Sequence, residues 1–349
     1  MTIQGLISAL RKVVLGFMLL IVSFYLLLFA LNWQDEAASP ESLQLQQILD
    51  AQQAISAQHN GYLYYQQHHT KPLALPEELR AFLQALTRCA PEPCLTELQK
   101  AHTVLPEWLA QQQPSLIAYQ TLLNYPAWQY PMPQYTTELP PLSPLMDMQQ
   151  LFLLEIWRKV SGGELASAKV MLQQDLNFWR QQLQSANSLL TKMMAVSGVK
   201  RHLGFATLFR QSTTDAQYQQ LIPDSWTQPF DAQELSPMLA MAGEWQFGRS
   251  VVESVRQSRP IDQPLHERWL TLELWLPFLK SQATSNTLAL SHLACAEQRS
   301  AKTQDDSPWY HWFYNPLGKI LTQAGEDTCL EHLKPLPELE QNRVQLLEA

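Results

Sequence analysis

Leu172 to Met193 reads LQQDLNFWRQQLQSANSLLTKM. Its apolar members Leu172, Leu176, Trp179, Leu183, Ala186, Leu190 and Met193 advance by alternating steps of four and three. An α-helix turns once every 3.6 residues, so this cadence puts them on one seam, which must pack against another helix to leave water. Gln173, Gln174, Arg180, Gln181, Gln182 and Gln184 supply the opposite, wettable surface. The pattern predicts an all-α body with a long helical hairpin inside one subunit; a homo-oligomer is the other way to cover the seam.

The helical cadence continues on both sides. A helix over 145–160 is expected to end at Ser161-Gly162-Gly163, where glycine relaxes the backbone, and the next to begin near Glu164. Gly198 is expected to interrupt or kink the run before Leu203, Phe205, Leu208 and Phe209 restore an apolar face. Gly163–Lys169 (GELASAK) resembles one turn of a tetratricopeptide repeat, but no 34-residue recurrence follows, so a repeat solenoid is not implied. Further helices are expected after Ser39-Pro40-Glu41, over 76–88, through Leu95, Leu98, Ala101 and His102, and over 114–124, 237–256 and 264–282, while segments 283–298 and 316–331 carry one cysteine each of a second pair.

Prolines mark the joints. Pro126, Pro131, Pro133, Pro140, Pro141 and Pro144 exclude a continuous helix over 126–144. Trp128, Tyr130 and Tyr135 lie among them, which favours an ordered strap packed on the body over a binding surface. Residues 223–237 read as a connector and 334–349 as a loose tail.

Val13–Leu31, VVLGFMLLIVSFYLLLFAL, holds nineteen residues with no formal charge. As a helix it is about 29 Å long, matching the roughly 30 Å hydrocarbon layer. Arg11 and Lys12 precede it, and Asp35 and Glu36 follow. The positive-inside tendency then keeps residues 1–12 cytoplasmic and exports the rest. A cleaved signal is disfavoured, because the run is long and Ala30-Leu31-Asn32 is a poor small-x-small site. The expectation is a bacterial inner-membrane protein with lipid contact through 13–31, an N-terminal helical region over 32–125, a linker over 126–144 and a main periplasmic region over 145–333.

An exported body is permissive for disulfides. Cys89 and Cys94 flank Ala-Pro-Glu-Pro, and Cys295 and Cys329 remain as the distant pair, one of three pairings four cysteines allow. The alternative for the second pair is tetrahedral zinc held by His292, Cys295, Cys329 and His332. Disulfide pairing is preferred, so no metal and no cofactor is expected.

The catalytic signals are weak. His266-Glu267 lacks the second histidine of a zinc peptidase, and there is no nucleophile elbow, phosphate-binding loop or dinucleotide fingerprint. Glu77-Glu78 and Asp305-Asp306 read as a helix first turn and a solvated loop. With 24 basic against 32 acidic residues, the formal charge of −8 argues against nucleic acid.

Trp309-Tyr310-His311-Trp312-Phe313-Tyr314-Asn315-Pro316-Leu317-Gly318-Lys319 stands out. Trp309, Tyr310, Trp312 and Tyr314 can bury large areas at modest entropic cost, with Asn315 and Lys319 adding directional contacts. Packing of this segment against the helical body is the favoured reading; as the alternative, these six are the candidate interaction residues, for another envelope or membrane protein first and a cell-wall glycan second. The functional expectation is a membrane-anchored binding or assembly component. The alternative is an envelope hydrolase or peptidase whose catalytic groups meet from separate helices.

Overall fold

The computed structural model describes residues 3–68, 71–87, 91–132, 134, 141–257, 276–299, 309–323 and 329–348. Among these residues the regular structure is helical, and the one extended pairing is a bridge between Asn60 and Ala127. The chain divides into two compact units, residues 1–49 with 244–329 and residues 50–243 with 330–349. The described residues of the proline-rich segment, 126–132, 134 and 141–144, fall within the second of these units.

The larger unit is built on helices Leu165–Ser185 and Leu189–Ser212, which pack along each other, with Ser143–Ser161 against both. Leu172, Leu176, Trp179, Leu183 and Ala186 are buried, as the seam requires. The seam does not continue on one helix. The chain breaks at Ala186-Asn187-Ser188, and Ser188 caps the next helix by accepting from the Thr191 N–H, while the Thr191 hydroxyl accepts from the Ser188 N–H. Leu190 is consequently exposed and Met193 only half-buried.

Gly198 corrects a second expectation. The helix runs through it without interruption, and the missing side chain lets the ring of Trp179 press against the backbone: a Cβ there would lie 2.2 Å from a ring carbon. Gly163, by contrast, ends its helix at φ +79° as a turn glycine does.

Of the proline-rich segment, residues 126–132 lie against the helices of the larger unit. Trp128 and Tyr130 are buried, and the Asn187 amide donates to the Tyr130 and Pro131 carbonyls (3.3 and 3.2 Å). Pro133, Tyr135 and Pro140 lie outside the described residues. The connector 223–237 contains two one-turn helices, Asp224–Thr227 and Ala232–Leu235. Arg180 clamps it with a two-point ion pair to Glu234 and bonds to the Ser225, Gln228 and Pro229 carbonyls. The expected loose tail is instead helix Pro335–Glu348, which buries Leu336, Leu339 and Leu346. Its Arg343 donates to the Trp226 carbonyl. Leucines at three- and seven-residue spacings give this last helix an inner face that outweighs its two early prolines, which sit in the first turn where no donor is lost.

The smaller unit contains the opening helix Ile3–Leu31, helices Pro40–Asp50 and Ser281–Ala296, and the short helix Pro316–Gln323. The opening helix is long and apolar enough to cross a bilayer, by length and composition. From Ile7 to Leu31 every residue is exposed except Tyr25 and Leu28. The expected helix 264–282 lies outside the described residues up to 275, after which a single turn, Leu276–Phe278, precedes Ser281.

Candidate functional site at the root of the opening helix

Asn32 ends the opening helix and ties it to the aromatic segment. Its amide donates to the Phe313 carbonyl at 2.7 Å, and its Oδ1 accepts from the Asn315 N–H at 2.8 Å. Asn315 has a positive φ of 50°, a conformation asparagine tolerates better than other side chains. From there its Oδ1 accepts from the Lys280 N–H (2.9 Å) and the Gly318 N–H (3.2 Å), and its amide donates to Thr284 Oγ1 (3.0 Å). Asn315 thus caps helix Pro316–Gln323, with proline at the first helical position. Gly318 completes the fit, since a Cβ there would meet Thr284 Oγ1 at 2.1 Å.

The segment leaving the helix is held as firmly. Asp35 accepts from the Gln282 and Ala283 N–H groups (2.9 and 3.0 Å) and so caps helix Ser281–Ala296. Asn286 donates to Glu36 and to the Ala37 carbonyl and accepts from the Ser39 N–H and the Ser42 hydroxyl. Above this polar clamp, two edge-on ring contacts join the opening helix to the body: Phe24 with Phe313 at 5.8 Å and Tyr25 with Phe278 at 5.3 Å.

The six sequence-derived interaction residues divide accordingly. Asn315 is buried and bonded internally, so it is a structural hub rather than a contact offered to a partner. Trp312 is 49% exposed, and Lys319 bonds back to the His311 carbonyl with its ammonium 6.0 Å from the Trp312 ring centre. Tyr314 is half-buried, and desolvation together with Glu36 and Asp35 pushes its phenol up to about 12. The side chains of Trp309 and Tyr310 lie outside the described residues. Sequence reading missed Asn32, Asp35 and Asn286; the only local signal was a polar residue at the end of an apolar run.

Cys295 and Cys329 form a disulfide with their Cα atoms 6.3 Å apart, which consumes both sulfurs of the alternative zinc set. Among the described residues no cluster of three or more His, Cys, Asp or Glu side chains is arranged to hold a metal. His292 is kept neutral by burial, its imidazole pushed down to about 4. Cys94 is disulfide-bonded, while Cys89 lies outside the described residues.

One constellation in the larger unit imitates a catalytic pair. His202 Nδ1 and Asp175 Oδ2 are 2.7 Å apart, and both side chains are fully buried. The other ring nitrogen, Nε2, accepts from the Trp226 indole at 2.7 Å, so Nδ1 carries the proton and donates it to Asp175. Asp175 also accepts from the Tyr119 hydroxyl (2.7 Å) and the Gln149 amide (3.3 Å), and Trp179 donates to Tyr119. A general base needs Nε2 free to face a nucleophile in an accessible cleft. Here an indole occupies it, so the pair is a satisfied core network.

Comparison with protein-family models, curated proteins and solved structures finds no match to this chain.

Proposed function

We propose that this chain is a single-pass membrane protein of a bacterial inner membrane, with its N-terminus cytoplasmic and its helical body in the periplasm. It serves there as a binding or assembly component for another envelope protein. The observation that carries this reading is the opening helix: from Val13 to Leu31 it presents apolar side chains outward almost throughout, with Arg11 and Lys12 before that stretch and Asp35 and Glu36 after it. Water would not tolerate that surface, whereas hydrocarbon matches it in length and polarity.

Two features support the rest. The Cys295–Cys329 bond suits an oxidising compartment. The Asp175–His202 network, closed by the Trp226 indole, is not an acid–base pair open to a substrate, and this favours a component whose surface does the work. Anchoring raises the encounter rate with other membrane-bound partners without any catalysis.

The test is photo-crosslinking in living cells from exposed apolar positions of the larger unit, Ile117, Val170 and Leu190. A discrete adduct with one envelope protein at one or more of them is expected. No adduct at any position, with folded abundance unchanged, contradicts an assembly role.

A further inference from the structure

The ring contacts at the root of the opening helix impose a constraint on where the smaller unit sits. Phe24 touches Phe313 and Tyr25 touches Phe278, yet both lie well before the end of the apolar run at Leu31. Only residues 13–23 separate the Arg11-Lys12 pair from the first of these contacts. At about 1.5 Å per residue they cover roughly 16 Å, about half the hydrocarbon thickness. Helical side chains also lean toward the N-terminus, which carries the contacts deeper still. If the rest of the smaller unit stopped at the bilayer surface, the span would have to draw Arg11 and Lys12 into hydrocarbon to reach its required length.

We propose that the smaller unit is instead seated in the outer leaflet, with Leu276–Phe278 and the segment from Trp312 to Leu321 forming an apolar wedge beside the anchor. The occupant of this face is the lipid bilayer. The inference rests on the anchor reading of the opening helix and goes beyond it.

The surface chemistry fits. Trp312 (49% exposed), Ile320 (60%) and Leu321 (39%) are apolar side chains left uncovered in the segment that carries Phe313, and Trp33 is exposed at the helix exit. Trp at the level of the headgroups and apolar residues below them is the arrangement an interfacial element adopts. Lys319, folded back over Trp312, can reach the headgroups while its stem stays in apolar surroundings. The polar clamp at Asn32, Asn315 and Asp35 satisfies its groups internally, so it tolerates a place near the lipid without unpaired donors.

The test uses the full chain in vesicles of phosphatidylethanolamine and phosphatidylglycerol, spin-labelled one site at a time through Leu20→Cys, Trp312→Cys, Ile320→Cys and Val170→Cys. All four positions are exposed, so the labels replace no core packing, and an intact Cys295–Cys329 bond on non-reducing gels verifies each fold. Accessibility to oxygen, which partitions into lipid, is compared with that to a water-soluble nickel chelate. The expected result is a severalfold higher oxygen-to-nickel ratio at 312 and 320 than at 170, with 20 the deepest. Ratios at 312 and 320 equal to that at 170, while 20 stays deep, overturn the seated wedge and leave the anchor standing. A label at 20 that reads as aqueous overturns the anchor and the wedge together.

Discussion

Gly198→Ala is the sharpest test of how the larger unit is packed. The added methyl would lie 2.2, 2.3 and 2.5 Å from three ring carbons of Trp179, against an ordinary contact of 3.4 Å or more, so the two must separate by about 1 Å. Neither side yields easily. Trp179 is fully buried and its indole donates to the Tyr119 hydroxyl at 3.0 Å, while the Gly198 carbonyl accepts from Gln149 at 2.9 Å. Overpacking of this kind costs about 1–3 kcal/mol, and loss of the indole bond adds about 1 kcal/mol. Better helix propensity for alanine returns roughly 1 kcal/mol. The net expectation is about 2 kcal/mol of destabilisation, a fall of roughly 4–8 °C in the melting temperature of a unit this size. Circular dichroism melts of the full chain, with Trp179→Leu as a partner variant, measure it. The double variant should be less destabilised than the sum of the singles, because leucine vacates the space. A Gly198→Ala protein that melts within a degree or two of the parent would refute the close approach.

Other outcomes follow from the same geometry. Arg180→Ala leaves Glu234 buried without its cation and should cost about 3–5 kcal/mol in chemical denaturation, with Arg180→Lys recovering only part because the planar fork is lost. Asn315→Ala removes a cap and places alanine at a positive φ, for roughly 3 kcal/mol in the smaller unit; Asn315→Gly relieves the backbone strain and should lose less. Removing the Cys295–Cys329 bond frees a loop of 34 residues and should lower stability by about 3–4 kcal/mol, read as oxidised against reduced unfolding midpoints. His292 titrates near 4 when folded and near 6.5 when unfolded, so between these values the unfolded chain binds the extra proton. Stability is therefore complete above about 6.5 and declines by up to roughly 3 kcal/mol as pH falls to 4; His292→Leu should flatten that dependence.

Local patterns carried much of this architecture, and long-range polar bonds did not. Leucine and tryptophan at three- and four-residue spacing identified the helix of Leu172 and Trp179, and the prolines marked the strap. Apolar spacing has no way to register a stop, however, so the seam ran on through Ser185-Ala186-Asn187-Ser188, where a serine cap and its Thr191 partner begin a new helix. Gly198 looked like a breaker because glycine is a poor helix former, and its role only appears once the Trp179 ring is placed over it. Asn315 was legible as a turn residue before proline. Its partner Asn32 stands 283 positions away, and nothing in either neighbourhood announces the other. Packing of the aromatic segment was the favoured reading of its sequence, but nothing there pointed to the opening helix as what it packs on. The Asp175–His202 pair was invisible for the same reason, being assembled from two helices and closed by a tryptophan from a third.

The account stands or falls on which side of a membrane the body lies. Fusing the full chain at its C-terminus to a reporter that folds only after export, and in parallel to one that fluoresces only in the cytoplasm, reads this out in living cells. Activity from the exported reporter, together with a membrane-bound chain that resists alkaline extraction, is the predicted result. Fluorescence from the cytoplasmic reporter, or a chain released into the soluble fraction, would contradict it.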